Sequence, residues 1–234
     1  RNTAPAIALA VRHIQNTHGD DAVCLVLAAD HLISDDAGFE KAVNQAAEQA
    51  QAGNLVVFGI RPTAPETGYG YLEVAAAGDG PQALKRFIEK PDRATAETYL
   101  AEGRYYWNSG MFCFTAGVMA KNMATHASDV WAASQATFAE AQEEAGVTRF
   151  AEDSFIAQPN ISIDYAVMEK ARKIAMVPAG FGWSDIGSWD VVADAHEADS
   201  QGNSAASAER GQVVETQNTH VESVSHIDKT IATI

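Results

Sequence analysis

Asp30, Asp185 and the adjacent pair Glu89 and Lys90 are the residues of this sequence whose types and positions could do chemistry. Asp30 follows the apolar run Val23-Cys24-Leu25-Val26-Leu27, and Asp185 is the one acid of GWSDIGSW, residues 182 to 189. In a parallel α/β sheet ligands gather at the carboxyl ends of strands, so carboxylates leaving two strand ends can converge on one ligand. Oxygen donors without a histidine pair suit a hard cation such as Mg2+, which keeps waters and substrate phosphates in its shell. A plainer alternative stands beside this one: Asp30 as a loop or helix cap, and Asp185 as half of a buried salt bridge. Glu89 and Lys90 point to opposite faces if their strand runs on through them, so one could take hydroxyl groups and the other a phosphate. A solvated strand end explains the pair equally well. In ETGYGY, Gly68 and Gly70 could bring backbone N–H groups close to a polar ligand or simply make turns.

These residues need a scaffold, and the periodicity supplies one. Thr3 and Pro5 read as the cap and first turn of a helix over about 4 to 17, ended by Gly19. Val23 to Leu27 reads as a strand covered on both faces, Phe39 to Ala50 as a helix, and Leu55 to Ile60 as a second buried strand. This alternation predicts a parallel α/β sheet. RPTAPETGYG, residues 61 to 70, is too rich in proline and glycine for regular structure. Further strands are expected at 71 to 74, 84 to 88 and 174 to 177, with helices at 95 to 102 and within 116 to 145. YYWNSGMFCF gives a loop entering a buried strand, and Ser162 caps a short helix to about Arg172 with Asp164 in its first turn. The acidic stretch Glu140 to Glu144 reads as a solvated helix face. Ser188 reads as the cap of a helix over 189 to 196, and Trp183 and Trp189 as packing that stiffens the Asp185 turn. His31 reads as a local hydrogen-bonding residue rather than a metal ligand.

Composition excludes several functions. An apolar fraction of 47% over 234 residues supports a sizeable core, and a net charge of -15 argues against nucleic acid as a partner. No stretch has the length and apolarity of a membrane span, and the N-terminus lacks a signal-peptide layout, so the expectation is a cytoplasmic protein. Cys24 and Cys113 lie among apolar residues and read as buried free thiols. A homo-oligomer is compatible with the sequence.

LVLAADHLI, ETGYGYLE, FIEKP, WNSGMFCF, SIDYAVMEK and GWSDIGSW, in this order, resemble the bacterial mannose-1-phosphate guanylyltransferases of the sugar-nucleotidyltransferase superfamily. The likeness is closest to the long type often fused to a mannose-6-phosphate isomerase. It implies a Rossmann-like mixed, mainly parallel sheet flanked by helices over 1 to 196, a linker at 197 to 211, and the start of a left-handed β-helix-like region at 212 to 234. It implies that GTP and mannose 1-phosphate give GDP-mannose and pyrophosphate. By the same resemblance Asp30 and Asp185 hold Mg2+, Glu89 accepts sugar hydroxyls, and Lys90 binds the sugar phosphate. Gly70 meets the mannose through its backbone and Asn108 through its side chain. Asp164 lies near the metal or the sugar phosphate, and Asn2 and Thr3 touch the nucleoside end. The family's glycine-rich triphosphate loop is not in this sequence, which is therefore read as a fragment that makes little or no GDP-mannose by itself. Two alternatives remain open, a related transferase using UTP or dTTP with glucose 1-phosphate and a non-catalytic regulatory paralogue. A metal-dependent glycosyltransferase is disfavoured, because no D-x-D run stands at a strand end.

Overall fold

Leu55 to Gly59 are buried without a break, and their side chains divide between two cores, which makes this segment the middle of the sheet. In the computed structural model, residues 1 to 187, 192, 196, 198 to 205, 217, 218, 220 and 221 are described. They fall into two compact units, 1 to 29 with 33 to 183, and 30 to 32 with the described residues from 184 onward.

In the first unit the elements run α1 (Thr3–His18), β1 (Val23–Val26), α2 (Asp36–Gln51), β3 (Leu55–Ile60), β4 (Tyr71–Glu73), β5 (Gln82–Ala83), β6 (Arg86–Ile88) and α3 (Arg93–Glu102). The unit continues through β7 (Tyr105–Thr115), α4 (Ala116–His126), α5 (Ser128–Ala139), β8 (Gln142–Glu144), β9 (Val147–Arg149), α6 (Glu152–Ile156), a π-helical turn (Asp164–Met168) and β10 (Ile174–Pro178). The short segments β2 (Leu32–Ile33) and β11 (Trp183–Ser184) lie where the chain passes from one unit to the other. The second unit has β12 (Ser204–Ala205) and β13 (His220–Val221), which pair in parallel.

The main sheet has the order β5-β10-β3-β7-β4-β6, with β1 also on β7. The expected mixed sheet flanked by helices is present. The strand directions correct the expectation of a mainly parallel sheet: β1, β3 and β4 all run antiparallel to β7, β6 to β4 and β5 to β10, and among the described strands of this sheet β10 with β3 is the one parallel pair, because the long strand β7 enters between β1 and β3 in the opposite direction. The strands of the helix-strand-helix-strand reading therefore share a direction, but β7 lies between β1 and β3. Helices α1, α4 and α5 and the π turn cover one face through Ile7, Val11, Met119, Met123 and Val167. Helix α2 covers the other through Ala42, Ala46 and Ala50 against Val56, Phe58 and Val177. Helix α3 closes the end with Tyr99 against Tyr71, Tyr105 and Trp107.

Four local expectations are corrected. Asn2, not Thr3, caps α1, its Oδ1 accepting from Thr3 N at 2.8 Å, because Thr3 Oγ1 is taken by the Ile163 N–H at 2.9 Å. Strand β1 is not covered on both faces: Val23, Leu25 and Leu27 are 38%, 36% and 46% exposed, since α2 lies over the middle of the sheet. The acidic stretch is a hairpin rather than a helix, because Ala145 (φ 52°) and Gly146 (φ 77°) make a left-handed turn between β8 and β9. The helix expected over 162 to 172 is the five-residue π turn, with Ser162 Oγ accepting from Tyr165 N. Ser188, Trp189, most of the helix expected over 189 to 196, most of the linker and most of the β-helix-like tail lie outside the described residues. Both cysteines are buried and free, and they belong to different cores.

Gly59, next to the end of β3, allows close packing that a methyl group would disturb. A Cβ there would lie 2.7 Å from Met176 Sδ and 3.0 Å from Tyr106 Cβ. Gly59→Ala is expected to destabilise the chain by about 1–3 kcal/mol, the usual cost of overpacking, seen as a lower urea midpoint with an unchanged slope.

Candidate functional site

The sheet register brings the sequence motifs together. Tyr71 lies between Ile88 on β6 and Trp107 on β7, so the residue before it, Gly70, stands between Glu89 and Asn108. The Gly70 carbonyl accepts from Asn108 N at 2.7 Å, which continues the ladder one residue past β4. Gly70 is buried, and a Cβ on it would lie 2.6 Å from Glu89 Oε2 and 3.3 Å from Asn108 Cβ. A methyl group there would have to displace the Glu89 carboxylate.

Asn108 is aimed by an irregularity in β7. Gly59 pairs with Asn108 but Val57 pairs with Phe112, so β7 carries extra residues where β3 has one, and Gly110 takes φ 72° to accommodate them. The Asn108 Oδ1 accepts from Gly110 N at 3.1 Å, which leaves its Nδ2 to donate to Asp164 Oδ1 at 3.1 Å. The segment read as a loop entering a strand is thus a bulge inside one strand, and the bulge points the amide across the rim.

Glu89 and Lys90 leave the end of β6. The Glu89 side chain is 10% exposed and that of Lys90 57%, and their charged ends are 3.8 Å apart. They do not alternate across a continuing strand as expected. Lys90 has φ 47°, so the chain turns and the ammonium folds back beside the carboxylate. Burial and the nearby Asp164 charge push the Glu89 carboxyl up to about 7, with Lys90 acting in the opposite direction. Burial also raises the Asp164 carboxyl, against hydrogen bonds from its own N–H, Asn108 and Ser162.

The Glu89 shift has a sign for stability. Between an ordinary glutamate near 4.5 and about 7 the folded chain holds a proton that the unfolded chain has lost, so this group's contribution falls as pH rises through that window. Glu89→Gln, which mimics the neutral form, is expected to raise the urea midpoint at about pH 8 and to lose that advantage by about pH 5.

Glu169 is a member of this cluster that sequence reasoning passed over, although it lies within SIDYAVMEK. Its Oε1 accepts from Glu89 N at 3.2 Å. An ordinary helix sets residue i+4 beside residue i, so Glu169 reads as turned away from Asp164. The π turn, closed by Glu169 N to Asp164 O at 3.0 Å, brings i+5 into line instead.

Gly70, Glu89, Lys90, Asn108 and Asp164 are therefore gathered on one rim of the first unit, with Glu169 added. Asn2 and Thr3 use their side chains on the α1 cap and on Ile163, one residue before Asp164. Asp30 and Asp185 belong to the second unit, Asp30 exposed and Asp185 half-buried. The Asp185 turn is held by Gly187 N donating to Asp185 Oδ1 at 3.3 Å and Ile186 N to Ser184 Oγ at 3.1 Å, with Ile186 at φ 47°. Among the described residues no three His, Cys, Asp or Glu side chains are grouped to enclose a metal. Two carboxylates alone fit a Mg2+ that keeps phosphates and waters, and they do not fit a closed structural zinc site.

Residues 1–202 match the family described as Nucleotidyl transferase. A xanthan biosynthesis protein of Xanthomonas campestris pv. campestris is 48% identical over 215 residues, 92% of this chain and 45% of that protein. The mannose-1-phosphate guanylyltransferase of Escherichia coli K12 is 40% identical over 242 aligned positions, 99% of this chain and 49% of that protein. The chain thus spans about half the length of the curated relatives it matches. The crystal structure of mannose-1-phosphate geranyltransferase from Thermus thermophilus superposes with a TM-score of 0.80 at 31% identity, over 97% of this chain and 70% of that one. No helix among the described residues is long and apolar enough to cross a membrane.

Proposed function

The chain belongs to the nucleotidyl transferase family, and on that premise we propose that it forms the sugar-phosphate part of a mannose-1-phosphate guanylyltransferase. In the whole enzyme a phosphate oxygen of mannose 1-phosphate attacks the α-phosphorus of GTP, the bond to the β-phosphate breaks, and pyrophosphate leaves. The protein's contribution to such a step is positioning and charge neutralisation.

The observation that carries the reading is the meeting of Gly70, Glu89, Lys90, Asn108 and Asp164 on one rim. Half-buried carboxyls and an amide side chain suit the directional hydrogen bonds of sugar hydroxyls, and a half-exposed ammonium suits a phosphate. Relatives named mannose-1-phosphate guanylyltransferase in Klebsiella pneumoniae and Escherichia coli, each 46% identical, support mannose 1-phosphate and GTP as the substrates. Asp30 and Asp185 would hold Mg2+, whose chemistry when bound is to neutralise phosphate charge. The net charge of -15 supports a chain without a nucleic-acid partner, and we propose that it works in the cytoplasm without a membrane partner.

Calorimetric titration of this chain with mannose 1-phosphate, with and without Mg2+, tests the reading. Binding is expected, with glucose 1-phosphate weaker, and the Mg2+-dependent part is expected to vanish in Asp185→Asn. Equal affinity for both sugars, or a metal response unchanged by that substitution, would overturn the assignment.

A further inference from the structure

Resting on this sugar-phosphate reading, we propose that Glu169 is the positioning residue of the rim: its carboxylate holds the Glu89 backbone so that the Glu89 carboxyl and the Lys90 ammonium are presented together to a phosphorylated hexose.

Strand β6 ends at Ile88, so the Glu89 N–H has left the ladder, and Glu169 Oε1 is the acceptor that takes it at 3.2 Å. The next residue, Lys90, is left-handed and precedes Pro91, a backbone position that costs free energy for any side chain bearing a Cβ. Such a conformation persists only where its surroundings over-determine it. Pro91 fixes the far side of the turn and Glu169 fixes the near side. A neutral acceptor would suffice for the hydrogen bond, yet a third carboxylate stands here. The groups facing Glu89 are Lys90 on its own segment, Asp164 on the π turn and Glu169 just after it, which with Glu89 makes three acids to one ammonium. This is an unfavourable arrangement for folding, and it makes sense if the charge of Glu169 serves the ligand site by strengthening the hold on Glu89 N and keeping Lys90 turned inward. Glu169 itself is exposed, so its loss leaves no cavity in the core.

The π turn is what makes the contact possible. In regular α-helical winding Glu169 would lie off the line of Asp164, so one local irregularity both aims Asp164 at Asn108 and delivers Glu169 to Glu89.

The test compares wild type, Glu169→Ala and Glu169→Gln, with mannose 1-phosphate affinity measured by calorimetry and the Glu89 amide and its pH titration followed by 15N–1H spectra. Glu169→Ala is expected to weaken binding about tenfold, as for loss of one charge-assisted hydrogen bond, and to move the Glu89 amide signal upfield. Glu169→Gln keeps an acceptor but not the charge, so only part of the affinity returns near neutral pH, while in both variants the titration seen at Glu89 moves to lower pH because one like charge is gone. A Glu169→Ala chain with wild-type affinity and an unmoved Glu89 amide overturns the proposal, as does Glu169→Gln matching Glu169→Ala in both affinity and amide shift. If wild type binds no sugar phosphate, the functional reading fails by itself, and the amide signal and titration still decide whether Glu169 holds Glu89.

Discussion

Lys90→Ala is expected to weaken mannose 1-phosphate binding by about 10- to 100-fold, the equivalent of roughly 1.5–3 kcal/mol for a hydrogen bond to a charged group. Lys90 is the cation of the rim, placed 3.8 Å from Glu89 by its own left-handed backbone. Alanine removes the charge and keeps the strain, so stability and binding could be confused. Lys90→Gly separates them, because glycine adopts a positive φ freely: it is expected to lose the same affinity while unfolding no more easily than wild type, with about 1 kcal/mol of strain relieved. Lys90→Arg keeps the charge on a longer, planar group and is expected to recover only part of the affinity. Wild-type binding by Lys90→Gly would remove Lys90 from the site.

Gly70→Ala is expected to do comparable damage by a different route. Its methyl carbon would stand 2.6 Å from Glu89 Oε2, 3.3 Å from Asn108 Cβ and 3.5 Å from the Ile88 carbonyl oxygen. The flexible member of that set is Glu89, so the carboxylate must move off the rim. Affinity is expected to fall by about tenfold or more, with about 1–3 kcal/mol lost from stability through crowding of the Glu89 side chain. In the double variant Gly70→Ala with Glu89→Ala the crowding is relieved, so stability is expected to return while affinity does not. Stability that fails to return would place the clash in the backbone rather than at Glu89.

Much of the scaffold can be read from residue types, because helices and buried strands leave strong periodic marks. Helix α1, helix α2, β3 and β10 fall where apolar spacing puts them, and α3 ends at Gly103 as expected but begins at Arg93, two residues early, because Asp92 caps it. That Gly70, Glu89, Lys90, Asn108 and Asp164 stand near one another was legible through the family resemblance, but their arrangement was not. Its geometry rests on three departures from regular structure: the bulge at Asn108 to Met111, the left-handed Lys90, and the π turn at Asp164. Periodicity cannot announce a departure from itself. Gly110 is the one local signal that a bulge was due, and Glu169 carried none. Strand β1 misled for a related reason, since an apolar run does not say which of its faces a helix will reach.

That strand has a further consequence for handling the chain. Among the described residues β1 pairs only with β7, and Val23, Leu25 and Leu27 present an apolar row on its uncovered face. A strand with an open edge and an apolar face is a template for another copy, so the natural failure of this chain in solution is growth by edge pairing. The net charge of -15 opposes it by mutual repulsion, and salt screens that repulsion. Colloidal stability should therefore fall with rising ionic strength, and Leu25→Lys should restore it without touching the rim around Gly70 and Glu89.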